Sequence, residues 1–157
     1  MAPLTHLLLL AATATAHFTL NYPPAAGFDE DKEASGPCGG NTFDFTKATD
    51  FHVGGDAVAI TLAHPQANFL FRVTLDQTGA SGWAQAFPIV MQSGLGDFCE
   101  TAIVAPAAYA GKSGLLGVGV NAPDGLLFQV CFAFAAPNFL PVPLDLSPVS
   151  TTKRVDR

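Results

Sequence analysis

The side chains best suited to gripping a metal ion in this 157-residue sequence are four histidines and three cysteines, and one of them stands at an unusual place. His17 directly follows Ala14-Thr15-Ala16, and residues 7–12 ahead of it form a short apolar run. Small residues at positions 14 and 16 give the pattern that signal peptidase cuts behind, so cleavage is expected to make His17 the first residue of the mature chain. An N-terminal histidine owns two ligand nitrogens, its free α-amino group and its ring Nδ1, which can close one compact chelate ring on a single ion. Before cleavage the α-nitrogen is an amide and cannot serve. A histidine at such a junction also arises by chance, so the reading needs further ligands from the rest of the chain.

His6 lies in the leader, which leaves His52 and His64 as sources of a third nitrogen. His52 sits in the stretch Asp50-Phe51-His52 ahead of the strands, where a surface role is the ordinary expectation. His64 precedes Pro65 between two strand-like runs, at a strand end, where a rigid element can present a ligand. His64 is therefore favoured. Two nitrogens from residue 17 and one from a second imidazole suit tetragonal Cu(II), which tops the affinity order for such donors; zinc, preferring a tetrahedron, is the competing metal. All three nitrogens must be neutral to bind, so affinity should fall as pH drops below about 6.

The elements that must position these residues read as strands. Val58, Ile60 and Leu62 alternate with Ala57, Ala59 and Thr61, and Phe69, Phe71, Val73 and Leu75 alternate with Leu70, Arg72 and Thr74. Period two predicts two strands, each with one face in a core. Further strands are expected over 87–91, 98–104, 115–120 and 126–134, with Asn121-Ala122-Pro123-Asp124-Gly125 as a tight hairpin-like connection. The segment 17–28 is expected to be an irregular arm, because Pro23-Pro24 forbids helix and ladder pairing. Gly36-Pro37-Cys38-Gly39-Gly40 should be a turn pinned by a disulfide, and residues 106–110 a further turn. No segment has a long helical period. Six or seven short strands between Gly/Pro turns predict an all-β fold, an immunoglobulin-like antiparallel β-sandwich.

Length and composition bound the rest. A leader over 1–16 leaves about 140 residues, enough for one domain over 17–136, with an irregular tail over 137–157. The leader's only positive charge is the initiator amine, and its apolar run is too short to span a bilayer. Charged residues make up 13% of the chain and the formal net charge is −6, with no basic cluster on which a phosphate backbone could lie, so nucleic acid is excluded as a partner. In an oxidising compartment two of Cys38, Cys99 and Cys131 should pair and one be left over; their spacing leaves the pairing open and offers no CxxC or HxxxH zinc motif. No terminal hydrophobic tail signals a transmembrane or GPI anchor.

The opening HFTLNYPPAAGFDED, then PCGG, AHP, GDFC and PDGLLFQVC in that order, resemble the fungal Bim-type copper acquisition proteins, which are similar in fold to lytic polysaccharide monooxygenases. The resemblance covers most of residues 17–135. It implies a secreted or cell-surface β-sandwich holding one Cu(II) per chain through a histidine brace and an added carboxylate, serving copper uptake or homeostasis rather than polysaccharide cleavage. By position, His17 is the brace residue, His64 the second histidine and Asp124 the carboxylate, with Asp97 as runner-up; Asp124 is equally a turn former before Gly125. A carboxylate on copper would fill a position that a monooxygenase keeps open, so the expectation is a binding protein and not an enzyme. The alternatives are a copper monooxygenase acting on cell-wall polysaccharide and a wall protein without metal. A membrane copper transporter would be the natural recipient, and a monomer is expected. Family members carry a fourth cysteine and a GPI tail where this chain reads PVPLDLSPVSTTKRVDR, which implies either a soluble member with an unpaired cysteine or a sequence that stops short.

Overall fold

A computed structural model describes residues 18–27, 29–121 and 127–137. Nine strands run in the order β1 (Phe18–Tyr22), β2 (Thr49–Asp50), β3 (Asp56–Leu62), β4 (Gln66–Thr74), β5 (Ala84–Gln85), β6 (Val90–Ser93), β7 (Gly96–Ile103), β8 (Ser113–Asn121) and β9 (Leu127–Ala135). Three short 3-10 turns, at Glu30–Lys32, Phe45–Lys47 and Ala107–Tyr109, are the only helical pieces among the described residues. The strands form two sheets, one ordered β1-β3-β7 and the other β2-β9-β8-β4-β5, with β6 also beside β4. Pairing is antiparallel except for β2 on β9, which is parallel. The architecture is the expected all-β sandwich.

The core lies between the sheets and is built by the alternation read above. Val58, Ile60 and Leu62 point inward from β3, and Ala67, Phe69, Phe71 and Val73 from β4, all buried. Phe69 is the centre of an aromatic group: Phe18 meets it edge-on with ring centroids 6.3 Å apart, and Phe98 stacks on it at 5.6 Å. Each large side chain so buried contributes about 1.5–3 kcal/mol relative to leaving it in water.

The expectation of an irregular arm over 17–28 is corrected at its start, because residues 18–22 form β1. Phe18 and Leu20 are buried while Thr19 and Asn21 are exposed, so this stretch has a strand's alternation. Proline constrains only the residues from Tyr22 onward, and there the β1 register on β3 shifts, between Leu20 and Tyr22. Residues 86–89 also differ from expectation. The strand placed over 87–91 starts only at Val90, since Pro88 interrupts it, and Ala84–Gln85 pairs separately with β4.

β8 does not alternate: every residue from Gly114 to Val120 is buried. Its outer face is roofed by Trp83, from the loop after β4, beside the segment that follows β1, which is fastened to the neighbouring β9. The Ala26 amide donates to the Cys131 carbonyl (3.1 Å), the Gln129 amide donates to the Glu33 carbonyl (2.9 Å), and a disulfide joins Cys38 to Cys131 across 93 residues of sequence. Beside it, Arg72 donates from Nη2 to the Pro37 carbonyl (3.1 Å) and to Gln129 Oε1 (2.6 Å), while its guanidinium lies 4.3 Å from the centre of the Trp83 ring. The roof explains the glycine at 117, where a Cβ would stand 3.2 Å from both the Trp83 ring and Cys131 Sγ. Cys99, on β7, is the free cysteine, and it is exposed.

Candidate metal centre

Strand register brings several chain segments to one pole of the sandwich. β3 ends at Leu62 and β4 begins at Gln66, so His64 stands in the short connection between the sheets, half-buried. Leu62 pairs with Phe18 on one side and Gly96 on the other, which places the start of β1 and the start of β7 at this pole. Gln66 pairs with Ser93, and the Gly94 amide donates to the Pro65 carbonyl at 2.7 Å, fastening the β6–β7 turn against the histidine's own turn. The β8–β9 ladder closes here too, where Asn68 is opposite Asn121 and Asn121 opposite Leu127.

Two of the three ligands expected from sequence, His17 and Asp124, lie outside the described residues. Phe18, the residue that follows His17 in sequence, is at the pole, and so are Asn121 and Leu127, the described residues that flank Asp124 in sequence. Among the described residues no group of three or more His, Cys, Asp and Glu could hold a metal.

His52 is at the other pole. It precedes the start of β3, whose seven residues separate it from the His64 connection by roughly 20 Å. Its ring Nδ1 donates to Asp56 Oδ2 (2.9 Å), and its backbone amide reaches the same oxygen at 3.2 Å. A carboxylate can only accept, so Nδ1 carries the proton. Burial pushes the Asp56 carboxyl up, but the hydrogen bonds from the His52 ring, the Ala57 amide and the His52 amide outweigh it and hold the group below its ordinary value. This pair tethers the turn ahead of β3.

Asp97, the runner-up carboxylate, faces outward from β7 and is directly opposite Thr61. Its Oδ1 accepts from the Thr61 hydroxyl at 2.6 Å, and the Thr61 oxygen accepts from Asn21 Nδ2 at 2.7 Å. Sequence reasoning missed Asn21 and Thr61. The alternation placed Thr61 on the outer face of its strand, but period two does not say which residues of neighbouring strands stand beside it. A separate hollow of about 350 Å³ between the roof and β9, lined by Pro24, Ala25, Thr42, Phe43, Lys47 and Ala133 among others, contains none of the candidate ligands.

With an imidazole held at the meeting of seven strand ends, the pole offers a nitrogen donor of intermediate softness suited to copper or zinc. The family model described as "Copper acquisition factor BIM1-like" matches residues 15–136. A protein of Yarrowia lipolytica (strain CLIB 122 / E 150) described as "Lytic polysaccharide monooxygenase-like protein X325" is 30% identical over 144 residues, covering 84% of this chain and 53% of the relative. The chain thus spans about half the length of that relative. The chain belongs to the BIM1-like copper acquisition factor family.

Proposed function

We propose that this protein binds one Cu(II) as cargo at the His64 pole, outside the cell or at its surface, in copper uptake or homeostasis. His17, freed by signal cleavage, supplies its amine and ring nitrogen, His64 supplies the second imidazole, and Asp124 supplies a carboxylate. The observation that carries this reading is the pairing of Phe18 with Leu62, which sets the residue after His17 opposite the last residue of β3, two positions before His64. His52, at the opposite pole, has no part in it. Asp124 is preferred to Asp97 because Asp97 already spends one oxygen on Thr61 and projects from the outer face of the sheet.

The name of the Yarrowia lipolytica relative raises a second reading, a copper monooxygenase on polysaccharide. Such an enzyme needs open coordination positions and a face that grips sugar rings. Trp83 is half-buried and covered by Arg72, Tyr109 is half-buried against the core, and only Tyr22 is well exposed, at 45%. That aromatic complement supports a binding protein.

The test is N-terminal sequencing of the secreted protein together with its copper-to-protein ratio. His17 first, one tightly held copper, and loss of that copper on adding one residue ahead of His17 or on His64→Ala are the expected results. Undiminished affinity in the extended chain would refute the site. Oxidised oligosaccharides formed from polysaccharide with copper and a reductant would replace the cargo reading by the enzymatic one.

A further inference from the structure

The smaller sheet carries, on its outer face, a polar rung that crosses all three of its strands: Asn21 on β1, Thr61 on β3 and Asp97 on β7. Its hydrogen bonds have a fixed direction. The Asp97 carboxylate can only accept, so the Thr61 proton goes to it at 2.6 Å; the Thr61 lone pairs then receive the Asn21 amide N–H at 2.7 Å. An ionised acceptor at the end makes the first of these bonds charge-assisted and short.

The rung lies where the ladder is weakest. β1 is an edge strand of five residues, and its register on β3 shifts at Asn21, between Leu20 and Tyr22. An edge strand this short is held by few main-chain bonds. Asn21 therefore fastens β1 by side chain just where the backbone pairing becomes irregular. Its two partners are equally well placed, since Thr61 is the next-to-last residue of β3, three before His64, and Asp97 is the second residue of β7 on the far side.

We infer that Asn21, Thr61 and Asp97 are positioning residues for copper: they lock the strand leading from His17 to the strand leading to His64, so that the two histidines keep a fixed spacing. This rests on the copper site proposed above. None of the three is a ligand. Asn21 and Asp97 are exposed, so the bonds between them add little to global stability, and their effect falls on the relative placement of two strand ends. Groups that orient ligands from outside the coordination sphere commonly govern metal affinity by 10-fold or more.

The experiment compares the processed wild-type protein with Thr61→Val, Thr61→Ser and Asn21→Ala, each titrated with Cu(II) against a competing chelator and examined by electron paramagnetic resonance. Valine keeps the β-branched shape and removes the hydroxyl. Thr61→Val is expected to weaken Cu(II) binding about tenfold and to alter the copper hyperfine splitting, with both restored in Thr61→Ser. Asn21→Ala should move affinity and spectrum the same way while the metal-free protein melts as wild type, which keeps the test decisive if Thr61→Val folds poorly. Wild-type affinity and spectrum in Asn21→Ala overturn the inference, and so does a Thr61→Val defect that serine does not restore. Adding one residue ahead of His17 separates the two levels. If extension leaves binding intact, the copper site itself fails and the rung's role with it; if extension abolishes binding while the rung variants are silent, only the rung is refuted.

Discussion

Asp76 closes the loop after β4 by accepting from the hydroxyl and amide of Thr78 and from the hydroxyl and amide of Ser81. The Thr78 hydroxyl bond is the largest of the influences that lower its pKa to about 2 from an ordinary 3.8. A carboxyl depressed on folding stabilises the fold above 3.8, and that contribution is lost as pH falls through about 2. Between these limits the wild-type melting temperature should drop more steeply with acid than that of Asp76→Asn, measured as thermal unfolding across pH 2–5; parallel curves would show that the loop bonds do not report on folding. At this scale the sequence was readable where a residue's neighbours in the chain determine its role. His64 was placed at a strand end from its own proline and the flanking alternation. The Thr61–Asp97 contact was not readable, because it depends on how β7 is registered against β3, and a period of two specifies a face without specifying an opposite number.

Strands were legible in proportion to how cleanly one face is wet. β3 and β4 alternate and were placed within a few residues; β8, roofed on its outer side, was found as an apolar run, as expected for a strand buried on both faces. β1 was missed because two prolines behind it dominated the reading, although Phe18 and Leu20 already alternated with Thr19 and Asn21. The strand is nevertheless anchored deeply: Phe18 is 1% exposed and packs edge-on against Phe69. Phe18→Ala should cost about 3–5 kcal/mol of stability in denaturant unfolding, a cavity-forming loss at the centre of the aromatic group. A cost under 1 kcal/mol would mean that β1 is dispensable to the core. Gly117→Ala probes the other sheet, since the added methyl must displace the Trp83 ring or Cys131 Sγ; overpacking of this kind costs about 1–3 kcal/mol.

Across the whole molecule, the disulfide between Cys38 and Cys131 decides the pairing that spacing left open. It closes a long loop and clamps the roof onto β9. Replacing both cysteines by serine should lower stability by about 2–5 kcal/mol, read from denaturant midpoints. An unchanged midpoint would show that the Arg72 and backbone contacts hold the roof unaided. The layered architecture was accessible from composition and turn spacing, whereas the gathering of the β1, β3, β4, β6, β7, β8 and β9 ends around His64 required the registers themselves.

β9 begins opposite Asn121 at the pole of His64 and finishes opposite Ser113 at the other, so its last residue, Ala135, stands roughly 30 Å along the strand from that pole. A probe attached at Ala135 itself would therefore sit at the base of the sandwich. The tip that bears His64 is at the far end from it, like a lamp on a post.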